Sequence, residues 1–212
     1  MCNTNNPFKG KSIYVVGGGN SFDPSLVEKL PPDRTVCINS TFIHFNKFLA
    51  LFWMDDSWYR KNIYKFGKVD IAYLYYISMN KPITTTGSSL NWVKLATNDC
   101  SKYPLYSNDG EVVGNNTGCC VINFLDKMQA KNIYLLGFDC KKVNGKSHSH
   151  DEYRFRLSDN SYQHVFLPCF DKLSKNLINA KVYNCYRSSA IKSFPYKNIN
   201  LVLLEESSKQ NR

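Results

Sequence analysis

Six short apolar runs recur along the chain, and their alternation with helical patterns limits the fold more than any other feature. They are SIYVV (12–16), TVCIN (35–39), LALFW (49–53), IAYLYYI (71–77), NIYLLGF (132–138) and KVYNC (181–185). A strand with one wet face alternates apolar and polar residues. These runs are continuous and rich in β-branched and aromatic side chains, which predicts parallel strands covered on both faces. Helical spacing fills the intervals. The stretch 118–130 sets Val121, Leu125 and Met128 in phase, and 167–180 does the same with Phe170, Leu173, Leu177 and Ile178. SLVEKL (25–30) also reads as helix. The expectation is an α/β fold: a single Rossmann-like, doubly wound domain over residues 1–206 with a mostly parallel sheet. In such a sheet the carboxyl ends of the strands share one edge, where ligands bind. Residues 78–116, rich in Thr, Ser, Asn and Gly, read as a flexible insert over that edge. Residues 207–212 read as a disordered tail.

Composition narrows the class. A chain of 212 residues with 43% hydrophobic content suits one such domain. No run of about eighteen apolar residues exists, so no membrane span is expected. The start, MCNTNNPFKGK, lacks the apolar core of a secretory signal, and a cytoplasmic location is the expectation. The eight cysteines lie scattered in apolar segments without a C-x-x-C pair, which predicts reduced, buried thiols. The net charge of +10 is spread along the chain. It fits either a solvated basic surface or an anionic partner such as a nucleotide, a phosphorylated glycan or nucleic acid.

The first run ends in Gly17, Gly18 and Gly19, followed by Asn20 and Ser21. Either the turn is simply tight and Asn20 or Ser21 caps a helix, or the backbone must approach something that is not protein. Amides at such a turn, beside a helix amino terminus, suit a phosphate. The dinucleotide fingerprint fails at Phe22, and no Gly-Lys-Ser/Thr ends a P-loop. Four more polar clusters stand at strand ends or helix starts: Asn39 with Ser40; Asp55 with Asp56; Asn115, Asn116, Thr117 and Gly118; and Asp139. In a parallel sheet all five converge, a pattern that suits a ribose, a base and a phosphate.

The order of these motifs resembles the bacterial lipooligosaccharide sialyltransferases and the related hydroxymethylpterin diphosphokinase-like superfamily, with phage-encoded members of unassigned activity nearest in pattern. The likeness rests on the glycine turn with Ser21, on Asn39, and on NTGCCVINFLDKMQAKNIYLLGFDC, KSHSHDEY and NCYRSSAIKSFP. It implies a glycosyltransferase-like enzyme using a nucleotide-sugar donor, CMP- or UDP-linked, with no certain cofactor. Gly17, Gly18, Gly19, Asn20, Ser21, Asn39, Ser40, Asn116, Thr117, Gly118 and Asp139 would then hold the nucleotide, and Ser188 and Ser189 would close on it. His164, before a late helix, occupies the place of the family's catalytic histidine. The acceptor would be a glycan or a modified nucleic acid.

Glycosyl transfer needs a base for the acceptor hydroxyl, and histidine titrates in the right range. His148, His150 and His164 are the candidates, with Asp151 to orient one of them. His148 and His150 point the same way in an extended segment, but a lone His-x-His lacks the third ligand of a zinc site. Asp55 and Asp56 do not form an Asp-x-Asp metal motif, so the expected mechanism is metal-independent. His44, in an aromatic segment, reads as packed. The alternatives are an ATP-dependent diphosphokinase using Asp55, Asp56 or Asp139 for magnesium, and a non-catalytic phage module binding nucleic acid or virion components through the loop 186–198.

Overall fold

A computed structural model of the chain describes residues 6–80, 90–99, 110–146 and 158–210. Eight strands form one sheet: β1 (Ser12–Val16), β2 (Thr35–Ile38), β3 (Lys47–Trp53), β4 (Asp70–Ser78), β5 (Leu90–Thr97), β6 (Glu111–Val113), β7 (Asn132–Leu136) and β8 (Lys181–Asn184). Their order is β6-β5-β4-β3-β2-β1-β7-β8, and every neighbouring pair is parallel. The chain steps outward from β1 to β6, then returns to build β7 on the other flank of β1. The β1–β7 seam is therefore the topological switch point, where the strand order reverses and ligands of open sheets bind.

The helices are α1 (Asp56–Phe66), α2 (Thr117–Lys127), α3 (Asp159–Ser161), α4 (Leu167–Ser174) and α5 (Ile199–Gln210). A π-helical turn, Tyr162–Phe166, joins α3 to α4. Alternate strand residues feed two cores. Ile13, Val15, Val36 and Phe52 pack with Val121, Leu125, Phe170 and Leu173 on the α2 and α4 side. Tyr14, Val16, Cys37, Leu51 and Trp53 pack with Trp58 of α1 and Val202 of α5 on the other. Both faces are covered, which is why the runs are continuous rather than alternating.

One buried polar tie joins the α2 end of the first core to β8. The Asp126 carboxylate, with no exposed surface, accepts the backbone N–H groups of Ile178 (3.2 Å), Asn179 (2.8 Å) and Ala180 (2.7 Å). Its own carbonyl accepts from Asn179 Nδ2 at 2.9 Å. Three successive amides thus find a single anion.

Four expectations need correction. SLVEKL is not an α-helix but lies in a 3₁₀ turn, Pro24–Lys29. Asp23 caps it, and Pro31 and Pro32 stop it before an α-helical hydrogen-bond ladder can grow. Within 78–116, read as an insert, residues 90–97 and 111–113 form β5 and β6 at the outer edge of the sheet, while 81–89 and 100–109 lie outside the described residues. Of the expected tail 207–212, residues 207–210 continue α5, while 211 and 212 lie outside the described residues. Ser207 and Ser208 donate to the Leu203 and Leu204 carbonyls one turn back, each at 2.9 Å. Finally, Cys37, Cys119, Cys120, Cys140 and Cys185 are free, but Cys169 is disulfide-bonded.

Candidate functional site

The glycine turn is shaped first by the chain itself. Gly17 N–H donates to the Leu136 carbonyl and Gly19 N–H to the Gly137 carbonyl, both at 2.8 Å, so the turn after β1 runs along the end of β7. A Cβ on Gly19 would stand 2.4 Å from the Gly137 oxygen and 2.8 Å from Asp139 Cγ. A Cβ on Gly17 would stand 2.8 Å from the Phe138 ring, and one on Gly118 would meet the same ring at 2.8 Å. Phe138, which is buried, therefore wedges between the turn and the start of α2. Gly17, Gly19 and Gly118 make room for protein. Sequence reasoning missed Phe138, whose only signal was an aromatic residue directly after a strand-end glycine.

Ser21 and Asp139 lock the far side of the turn. Ser21 N–H donates to Asp139 Oδ2 at 3.0 Å and its hydroxyl donates to Asp139 Oδ1. Asn20 Nδ2 reaches the Val143 carbonyl at 3.3 Å. Burial pushes the Asp139 carboxyl above its usual range, and the Ser21 bonds pull it only part of the way back. An acid whose native pKa is raised holds its proton more tightly folded than unfolded. Its contribution to stability is complete below the unfolded value and is lost as pH rises through the native one. We expect the stability of the parent to lose ground relative to Asp139→Asn as pH rises from about 4 toward neutrality. Urea midpoints of the two proteins across that range provide the measurement, and parallel profiles would contradict it.

Asn39 closes β2 in a left-handed conformation, φ +50°. Asparagine tolerates this region because its short polar side chain bonds locally. Here, however, its Oδ1 is buried without a hydrogen-bond partner. The following residues tie the turn down. Thr41 Oγ1 donates to the Val16 carbonyl at 2.9 Å, fastening the β2 end to the β1 end. Ser40, read as a ligand contact, is fully buried and accepts from Trp58 Nε1 at 2.8 Å, so it serves the core.

The start of α2 lies on the same edge. Asn116 caps the helix, its Oδ1 accepting from Cys119 N–H at 2.9 Å, while its Nδ2 donates to Asn115 Oδ1 at 2.9 Å. Thr117 and Gly118 open the first turn. Asn115 Nδ2 reaches the Val165 carbonyl at 2.6 Å. That bond brings the π-helical turn carrying exposed His164 to the α2 start. A π-turn inserts an extra residue into the helix, and such turns recur at functional sites.

The remaining expected residues divide clearly. Ser189 is buried, its hydroxyl donating to the Phe138 carbonyl at 2.7 Å and accepting from Ile191 N–H at 3.1 Å; it braces the loop. Ser188 is exposed beside it. His148, His150 and Asp151 lie outside the described residues. His44 is packed, as expected: it is half-buried beside Phe22, with ring centroids 5.6 Å apart, and burial lowers its pKa. Asp55 caps α1 through Ser57 and Trp58 N–H, and Asp56 pairs with Arg60. Among the described residues no group of three His, Cys, Asp or Glu side chains is placed to hold a metal ion. No helix among them is long and apolar enough to cross a membrane.

No protein-family model matches the chain, and no curated protein matches it in sequence. Solved structures do. The sialyltransferase CstII from Campylobacter jejuni, in complex with cytidine-5'-monophosphate, aligns with a TM-score of 0.56 at 15% identity, over 89% of this chain and 85% of that one. The chain has a sialyltransferase-like fold. The monofunctional alpha-2,3-sialyltransferase Cst-I from the same organism aligns at 0.52 and 13% identity, over 88% and 80%. CstII with CMP-3FNeuAc aligns at 0.50 and 14%, over 88% and 84%. At such identities the likeness lies in the backbone: a single parallel sheet with flanking helices. Within this sialyltransferase-like fold, the glycine turn, Asn39 and the α2 start are gathered on one edge by side chains of this chain, namely Thr41, Phe138 and Asp139.

Proposed function

We propose that the protein is a glycosyltransferase that takes a nucleotide-sugar donor at the carboxyl edge of the sheet, around the ends of β1 and β2 and the start of α2. The observation that carries the proposal is the buried, unpartnered Oδ1 of Asn39 beside the switch point. An unmatched buried acceptor costs about 1–3 kcal/mol, so its retention calls for a partner. An amino or hydroxyl group of a nucleoside supplies one. The fold supports the same reading, because its solved counterparts include complexes with CMP and a CMP-sugar analogue.

In this scheme the first-turn amides of α2 receive the donor phosphate, where the helix dipole favours an anion. The bond from the anomeric carbon to the phosphate breaks, and its electron pair leaves on the phosphate. A new bond forms from that carbon to the acceptor oxygen, whose proton passes to the exposed His164. The leaving group is stabilised by hydrogen-bond donors, and the proposal includes a metal-independent mechanism. Asp55, Asp56 and Asp139, the carboxylates a magnesium-dependent diphosphokinase would need, are each engaged in capping or pairing within the chain. The net charge of +10 suits an anionic acceptor.

Thermal unfolding in the presence of CMP and UMP tests the reading. At a hundredfold excess over Kd a bound nucleotide adds about 2.7 kcal/mol, a rise of several degrees for a chain of this size. Asn39→Ala is expected to unfold cooperatively and lose that rise. A rise of equal size in Asn39→Ala, or none in the parent, would overturn the assignment.

A further inference from the structure

The opposite edge of the sheet holds a second built feature. At the amino ends of β1 and β7 a cavity of about 460 Å³ is lined by residues including Lys11, Arg34, Lys131, Tyr134, Lys197 and Glu206. Tyr134 in its lining belongs to a ladder of tyrosines in register on three adjacent strands. Tyr14 and Tyr134 stack at 5.4 Å between centroids, and Tyr134 and Tyr183 at 5.6 Å. Arg34 lies 5.7 Å from the Tyr14 centroid, and Lys197 lies 5.2 Å from that of Tyr183.

The charges here do not cancel. Glu206 is taken up by Arg34 and by the Tyr14 hydroxyl, which donates to it at 2.8 Å. Glu205 faces Lys197 at 3.9 Å. Lys11 and Lys131 remain, with no side-chain partner among the described residues. The backbone fixes their spacing. Lys131 N–H donates to the Lys11 carbonyl at 2.8 Å, and Lys181 N–H donates to the Lys131 carbonyl at 3.0 Å. Lys11 and Lys131 thus sit side by side at the entries of β1 and β7, separated by the inter-strand distance of about 4.8 Å, while Lys181 pairs with Asn132 one residue further in. Ammonium groups on flexible stems act as point charges for phosphate, and an adjacent pair of them suits two phosphoryl groups better than one.

We propose that this amino-edge cavity binds a ligand carrying two or more phosphoryl groups, held by Lys11 and Lys131. The site lies at the opposite end of the strands from Asn39 and the glycine turn, and stands independently of the nucleotide reading.

The test uses inorganic tripolyphosphate as the probe, titrated into the full chain at constant ionic strength and followed by calorimetry. The parent is expected to bind, and the double variant Lys11→Ala, Lys131→Ala to bind at least about tenfold more weakly, losing roughly a charged contact's worth at each position. Both lysines are at the surface, so the variant is expected to fold, and its thermal response to CMP should match the parent's. Vesicles of phosphatidylcholine, with and without phosphatidic acid, separate the possible sources. Lysine-dependent capture by phosphatidic acid vesicles assigns a lipid headgroup, whereas tripolyphosphate binding without vesicle capture assigns a soluble phosphate. Failure of the parent to bind either probe, or equal binding by parent and double variant, overturns the proposal.

Discussion

Gly19→Ala is expected to destabilise the protein by about 3 kcal/mol or more, lowering Tm by roughly 6–12 °C. The added Cβ would lie 2.4 Å from the Gly137 carbonyl oxygen and 2.8 Å from Asp139 Cγ. Neither neighbour is the free end of a flexible chain: one is backbone and the other is bonded twice to Ser21. The turn must move, and with it the Gly19–Gly137 hydrogen bond that seals the β1–β7 seam. Gly67→Ala serves as the control. Nothing lies within 4 Å of a Cβ there, and φ is −65°. That change should be neutral or stabilising by up to about 1 kcal/mol, through the unfolded chain. Urea unfolding of both variants checks the pair; a Gly19→Ala midpoint equal to that of Gly67→Ala would refute the packing account.

Asp126→Ala should be as damaging, at about 3–5 kcal/mol. Removing the carboxylate, which is itself buried, leaves the N–H groups of Ile178, Asn179 and Ala180 without their acceptor and opens a cavity at the end of α2. Asp126→Asn retains one acceptor oxygen and should recover part of the loss. The ordering parent, Asn, Ala in chemical denaturation is the expected result. An alanine variant within about 0.5 kcal/mol of the parent, the scatter of ordinary surface changes, would show the tie to be dispensable.

The contrast between these two sites shows what the sequence could convey. Strands β1, β2, β3 and β7 were legible because a strand buried on both faces has no polar alternation to dilute its signal, and β4 and β8 because their partly exposed positions still carry tyrosines and aliphatic residues. Strand β5 was not. In LNWVKLAT, Val93 and Leu95 are buried while Asn91 and Lys94 are exposed, so its composition reads as loop. Strand β6 is three residues long, below the reach of periodicity. The end of α5 looked disordered because EESSKQ is polar; the reason it is ordered, Glu206 meeting Arg34 and Tyr14, comes from residues more than 170 positions away.

The candidate site was legible in part. Gathering of the glycine turn, Asn39 and Asn116 on one edge follows from strand-end placement in a parallel sheet. Their individual roles do not. A glycine signals close approach without saying to what, and Gly17, Gly19 and Gly118 approach Phe138 and the β7 end. Ser40 and Ser189, polar at strand or loop ends, turn inward to serve Trp58 and the Phe138 carbonyl. Asn39, with the same kind of sequence signal, keeps a buried oxygen unmatched.

The strand order also dictates how the chain can assemble as it is made. β1 leaves the ribosome first, yet its β7 flank stays open until residues 132–136 have been translated. At about 5–20 residues per second that interval is on the order of ten seconds. The six strands β1 to β6 can pair with their immediate successors as they emerge, while β1 waits with one side bare. Slowing translation between residues 113 and 132 would lengthen the time that this flank of β1 stays unpaired.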